Sequence, residues 1–173
     1  LMKVRVHGKN LPKKFRLGVY GMVELTMRDL LDNRRVVNNL EIDVHFRHHT
    51  DNGEAIIHEN EFRSRPRMFR VIIDPYKVRT NDYGRELNDD EWLHDCFKCL
   101  GHELVHVKQY VVGDLSMRSK GMYWKGKLTN IKNGKGYFKS PWEVEAHGLE
   151  RYLWMSFMDF WLNNVEEHLE EKE

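Results

Sequence analysis

The chain has 173 residues, 40% hydrophobic and 12% aromatic, with charged residues at 32% and a formal net charge of +1. That length and apolar content support a single domain over 1–173 with a real core, and they exclude a disordered chain. The balanced charge excludes bulk electrostatic attachment to nucleic acid or to a membrane surface.

The charge is unevenly spread. Residues 1–35 hold nine Lys or Arg against Glu24, Asp29 and Asp32, whereas the tail EEHLEEKE is acidic. The basic amino-terminal third is the feature that favours a nucleic-acid contact. LMKVRVHGKNLPKKF lacks an apolar leader and no run is long enough to span a bilayer, so a soluble, cytoplasmic protein with no membrane partner is expected. Cys96 and Cys99 form a lone CxxC in mid-helix. They read as small core residues in a reducing compartment rather than as a redox or zinc pair.

In chain order, KVRVHG alternates as a short strand. MVELTMRDLLDNRRV, residues 22–36, carries apolar residues at helical spacing and predicts a first helix. LEIDVHFRHH places Ile42, Val44 and Phe46 on one face, and TDNG reads as a tight turn into EAIIHENEF. RMFRVIIDP is a further strand, ended by Pro75. Together these predict an antiparallel meander with one wet face. A helix is expected from a cap at Asn88 or Asp89 to Gly113. Residues 114–140 are Gly- and Lys-rich and predict irregular chain with a short hairpin. Ser140 and Pro141 then start a last helix, bent near Gly148.

The chemistry lies in GHELVHVKQY. Residues four apart share a helix face, so His102 and His106 can aim ring nitrogens at one metal ion. Glu103 can reach a metal-bound water without being a ligand. Zinc would lower the pKa of that water, and Glu103 would take its proton and pass it to the leaving amine of a peptide.

A catalytic zinc needs a third protein ligand. The metzincin pattern would place Gly at 109 and His at 112, where this chain has Gln109 and Val112. The SprT-like pattern would place His at 110, where it has Tyr110. The ligand must come from later in the chain, and SPWEVEAHGLE offers Glu143, Glu145 and Glu150. At about 100° per residue, Glu143 and Glu150 fall at the edge of the stripe Trp142, Ala146, Leu149, Leu153, Phe157, Phe160. Glu145 turns toward solvent. Glu143 is the first choice and Glu145 the fallback. His147 lies on the Glu143 side, as a support for the site or a substrate contact. Tyr123, Tyr137, His147 and Arg151 are candidate oxyanion donors, with Tyr137 and His147 foremost. His45, His48 and His49 cluster beside TDNG as a polar strand end, and His94 lies two turns before His102, too far to join the site.

HELVHVKQ followed by an ExEA-type helix resembles the compact gluzincin-like metallopeptidases. These include ImmA/IrrE-type proteins and small HExxHxxQ zincin-like proteins often carried by phages and mobile elements. The resemblance covers residues 89–155. It implies zinc held by His102, His106 and Glu143, with Glu103 as base. ImmA/IrrE-like helices tend to carry Asn or Asp where this chain has His147, which leaves the sub-family and substrate open. The expected fold is therefore α+β and zincin-like, with a small antiparallel or mixed sheet packed on the motif helix and a long C-terminal helix. The expected activity is zinc-dependent peptide hydrolysis on a peptide or protein substrate, with oligomeric state undetermined. The alternative is a zinc-containing nucleic-acid-associated, virion or regulatory protein that does not cleave.

Overall fold

The computed structural model describes residues 1–61, 63–80, 84–131 and 136–163. It is a mixed α+β arrangement. Strand β1 (Lys3–His7) leads into helix α1 (Lys13–Leu30) and short α2 (Arg34–Asn38). Strands β2 (Glu41–Phe46), β3 (Gly53–Ile57) and β4 (Met68–Ile73) follow. Helix α3 (Asp89–Val112) precedes a small sheet of β5 (Leu115–Arg118), β6 (Gly121–Trp124) and β7 (Lys127–Leu128). Helix α4 (Pro141–Trp161) comes last.

The main sheet has the order β1-β2-β4-β3, with β1/β2 and β2/β4 parallel and β3/β4 antiparallel. This corrects the expected meander: β3 does not return along β2 but crosses to the far side of β4. The TDNG segment is pinned to the end of β4. Asp74 donates its N–H to the Asn52 carbonyl at 2.8 Å, and its carboxylate accepts the His49 N–H at 2.8 Å. Strand composition agrees. β4 ends in an unbroken buried run, Val71, Ile72 and Ile73, as a central strand does, whereas β3 is half-buried and takes the edge. On the inner face, Ile42, Val44 and Phe46 lie beside Phe69, Val71 and Ile73, in register, and all are buried.

Asp74 is fully buried. Besides His49 it accepts the N–H groups of Tyr76 and Lys77 at 2.9 and 3.1 Å. Burial alone would raise its pKa, but these donors and the nearby His48 hold it below its ordinary 3.8. Its stabilising contribution is therefore present above pH 3.8 and is lost as pH falls through the lower folded value. Asp74→Ala should cost about 2–3 kcal/mol at neutral pH. The gap from wild type in urea melts should narrow as the pH is taken below about 4. An unchanged gap at low pH would show that the ionised carboxylate is not what matters.

Helix α1 begins at Lys13, nine residues earlier than expected. Its buried stripe runs Phe15, Val19, Met22, Val23, Met27 at helical spacing. Gly18 lets the Phe97 ring approach: a Cβ there would sit 2.8 Å from Phe97 Cζ. Helix α3 starts in an Asn88/Glu91 capping box and ends at Gly113, whose φ of 83° is the left-handed C-cap. It is wedged between the sheet, α1 and α4, with Leu100 and Leu104 wholly buried. Each such side chain contributes about 1.5–3 kcal/mol of burial, which fixes the helix rigidly.

Residues 115–128 form a three-stranded antiparallel sheet where irregular chain with a hairpin was expected. Ser140 precedes α4, but its hydroxyl makes no cap and the helix runs continuously through Gly148. Among the described residues no helix is long and apolar enough to cross a membrane.

Candidate metal centre

His102 and His106 lie one turn apart on α3, and Glu143 sits in the first turn of α4 facing them. The three donors converge. His102 Nε2 and His106 Nε2 are 3.1 Å apart. Glu143 Oε2 is 3.3 Å from His102 Nε2, and Glu143 Oε1 is 3.2 Å from His106 Nε2. His106 and Glu143 are buried, and His102 is nearly so.

The outer side of each imidazole decides where its lone pair points. His106 Nδ1 is 2.9 Å from Gln109 Oε1. The Gln109 amide is oriented by its own donors, which bond the Trp142 carbonyl at 2.9 Å and Glu145 Oε2 at 2.8 Å. Its oxygen therefore faces the histidine, and His106 must donate from Nδ1. His102 Nδ1 is 2.8 Å from Glu150 Oε1, an acceptor-only carboxylate, so it donates too. Both Nε2 lone pairs are thus aimed at one point, beside a carboxylate. Such an arrangement needs a proton or a cation at its centre.

The electrostatics agree. Burial opposes charge on His102, but Glu143 and Glu150 outweigh it and lift the pKa to about 9; His106 moves the same way. Glu143 is held well below the carboxylate range: burial opposes this, and the two histidines overcome it. Even so, Glu143 Oε1 is buried with no well-aligned hydrogen bond.

The donor set fits a small divalent cation. Tetrahedral bonds of about 2.0–2.1 Å place neighbouring donors about 3.3 Å apart, and two imidazoles with one carboxylate is a catalytic-zinc set. The outer contacts match the usual arrangement in which each ligating His gives its other N–H to a carboxylate or carbonyl oxygen. Gln109→Ala and Glu150→Gln should each weaken zinc binding about 10–100-fold, read by competition with a chromophoric chelator. If affinity is unchanged in both, those contacts do not orient the ring nitrogens.

Glu103 is 6% exposed and lies on α3 against β3: a Cβ built on Gly53 would be 2.9 Å from Glu103 Oε1. Burial raises its pKa to about 7 against the pull of the two histidines. Glu145 does not face solvent as expected. It accepts from Lys108 Nζ at 2.7 Å and from Gln109, away from the imidazole pair. Tyr137, in a 3₁₀ turn before α4, brings its hydroxyl toward Glu143, and burial with that carboxylate raises its pKa. His147 is half exposed. Its Nδ1 is 2.6 Å from Glu150 Oε1 and its ring lies 4.6 Å from that of His102.

Sequence reasoning placed Glu150 on the correct face of α4 but gave it no role. Its seven-residue spacing from Glu143, two helical turns, was the available signal. Gln109 entered only as a departure from the metzincin pattern and as part of HExxHxxQ. Of the remaining described histidines, His7 and His45 group with Asp43, their donor atoms within 4.8 Å of one another, as a second set that could hold an ion. His94 bonds Asp95, His48 pairs with Asp74, His49 pairs with Glu54, and His45 stacks on His7 at 4.3 Å on the outer face of the sheet. Cys96 and Cys99 are free thiols, with burial raising both pKa values. Compared with known proteins, the chain matches no family model, no curated protein and no solved structure.

Proposed function

We propose that this chain is a zinc-dependent peptidase with a zincin-like fold of the gluzincin type. His102, His106 and Glu143 hold the metal and Glu103 is the general base. The observation that carries the reading is the convergence of three donor residues, with 3.1–3.3 Å between the two imidazole nitrogens and from each to a Glu143 oxygen, beside a second buried carboxyl, Glu103, that is not one of them. A metal site built only for structure closes its coordination with four protein ligands, whereas three with a carboxylate base alongside suit hydrolysis.

Zinc bound there supplies Lewis acidity toward a carbonyl and lowers the pKa of water toward 7. Glu103 takes the proton from the attacking water and hands it to the leaving amine. β3 is an edge strand, and Gly53 brings its backbone against Glu103. An extended peptide added along that edge would pass its carbonyls beside the base. Tyr137 and His147 border the same site and are the side chains available to donate toward a developing oxyanion.

The reading without hydrolysis draws less support. Part of the basic amino-terminal third is satisfied internally. Lys3 pairs with Glu41, Arg5 with Asp43, and Arg28 with Glu24, while the Arg16 guanidinium binds the Val6 and Gly8 carbonyls.

The test is reconstitution with zinc followed by metal analysis and a peptide-cleavage assay. One equivalent of zinc is expected, with a melting temperature raised by about 5–10 °C at zinc near a hundredfold over Kd. Cleavage should be abolished by a chelator and restored by zinc. Less than about half an equivalent under these conditions would end the reading.

A further inference from the structure

The segment 114–140 carries seven Lys or Arg against one acid, Asp114, so the other 146 residues hold 21 Lys or Arg against 26 acids. The near-neutral whole thus conceals a cationic segment, and its described part, residues 114–131 and 136–140, is the flap. Five of the seven cations are described: Arg118, Lys120, Lys125, Lys127 and Lys139. All are exposed, and among the described residues none is held in an ion pair. Lys125 alone acts on a carboxylate, lowering the pKa of Glu145 from a distance.

The flap borders the metal centre. Trp124 of β6 lies 6.1 Å from Trp142, the residue before Glu143, and Tyr137 approaches Glu143 itself. Lys125, over the Trp124 ring, brings one cation to that place, and the other described cations extend along the same small sheet and into the turn before α4; a surface of this charge repels basic chains and attracts acidic ones.

We infer that the flap binds an acidic stretch of the polypeptide entering the site, so that peptides with Asp or Glu beside the cleavage point are favoured. This rests on the peptidase reading. Its composition suits a peptide rather than a nucleic acid. Met117 and Leu128 are exposed among the cations, 59% and 45%, offering apolar contact between charges. The rings that would stack on bases are already covered: Arg118 lies 4.5 Å over Tyr123, and Lys125 lies 5.4 Å over Trp124. Phe138 is the one open ring among the flap's described aromatics.

The experiment measures binding without turnover, using the full-length zinc-loaded Glu103→Gln protein and fluorescence anisotropy. The probes are a labelled peptide of alternating Glu and Ala, its Lys counterpart, and single-stranded oligothymidylate of matched charge. The Glu peptide should bind about tenfold more tightly than the Lys peptide at low salt, with the difference shrinking as salt rises. The Arg118→Glu/Lys120→Glu/Lys127→Glu variant should reverse the order. Should that variant lose its melting transition, the corresponding triple Gln variant must still reduce the preference. Equal binding of the two peptides, tighter binding of oligothymidylate, or a preference that survives the substitutions would overturn the inference. Cleavage of uncharged peptides by the wild-type zinc protein is assayed separately, so failure of hydrolysis and failure of the acidic preference remain distinguishable.

Discussion

Glu103→Gln should keep a full equivalent of zinc and lower peptide hydrolysis by about 10²–10⁴-fold, the range that a positioned general base supplies. The amide is nearly isosteric and stays in the same buried slot between α3 and β3, but it cannot accept the water's proton. Metal content and turnover are therefore expected to separate in this variant. Gly53→Ala approaches the same carboxyl from the other side. Its new methyl group would meet Cys99 Sγ at 2.8 Å and Glu103 Oε1 at 2.9 Å, so either the base or the edge strand must shift. A lowered kcat with zinc retained is expected there as well. Loss of zinc from Glu103→Gln would make Glu103 a ligand, and unchanged turnover would remove it from the chemistry.

The second large effect concerns the ligand from α4. Glu143→Ala should weaken zinc binding by more than about 100-fold, beyond what loss of an outer contact costs. It would leave two imidazole nitrogens 3.1 Å apart with no carboxylate between them. Glu145→Ala is the discriminating control. Glu145 holds Lys108 and the Gln109 amide, so its loss should act on zinc only through the orientation of Gln109. Titration with a competing chelator separates the two. Should Glu145→Ala lose the metal and Glu143→Ala keep it, the site is assigned to the wrong carboxylate.

Legibility from sequence tracked how local each feature is. The α3 boundaries were readable because Asn88, Glu91 and Gly113 set them through contacts within a few residues. The pairing of His102 with His106 is likewise a property of one helix. α1 was read nine residues too short: Phe15 and Val19 continue its buried stripe back toward Lys13, and Phe97 of α3 packs against Phe15. The sheet order was misread because TDNG suggests a hairpin. The hydrogen bonds that decide its path come from Asp74, more than twenty residues away. Glu145 was assigned to solvent because its partner Lys108 lies on another helix.

By itself, the sequence of this protein determined a histidine pair on one face of a capped helix, a glutamate between them in the chain, and a short list of downstream carboxylates. These follow from helical periodicity, which turns spacing directly into direction. Only the tertiary structure decided which carboxylate meets the histidines, because that depends on the rotation of α4 against α3. It also decided that Gln109 and Glu150 hold the two rings in one tautomer, and that β3 rather than β4 presents its edge to Glu103. Each is a contact between segments far apart in the chain, set by how apolar faces pack rather than by any local pattern.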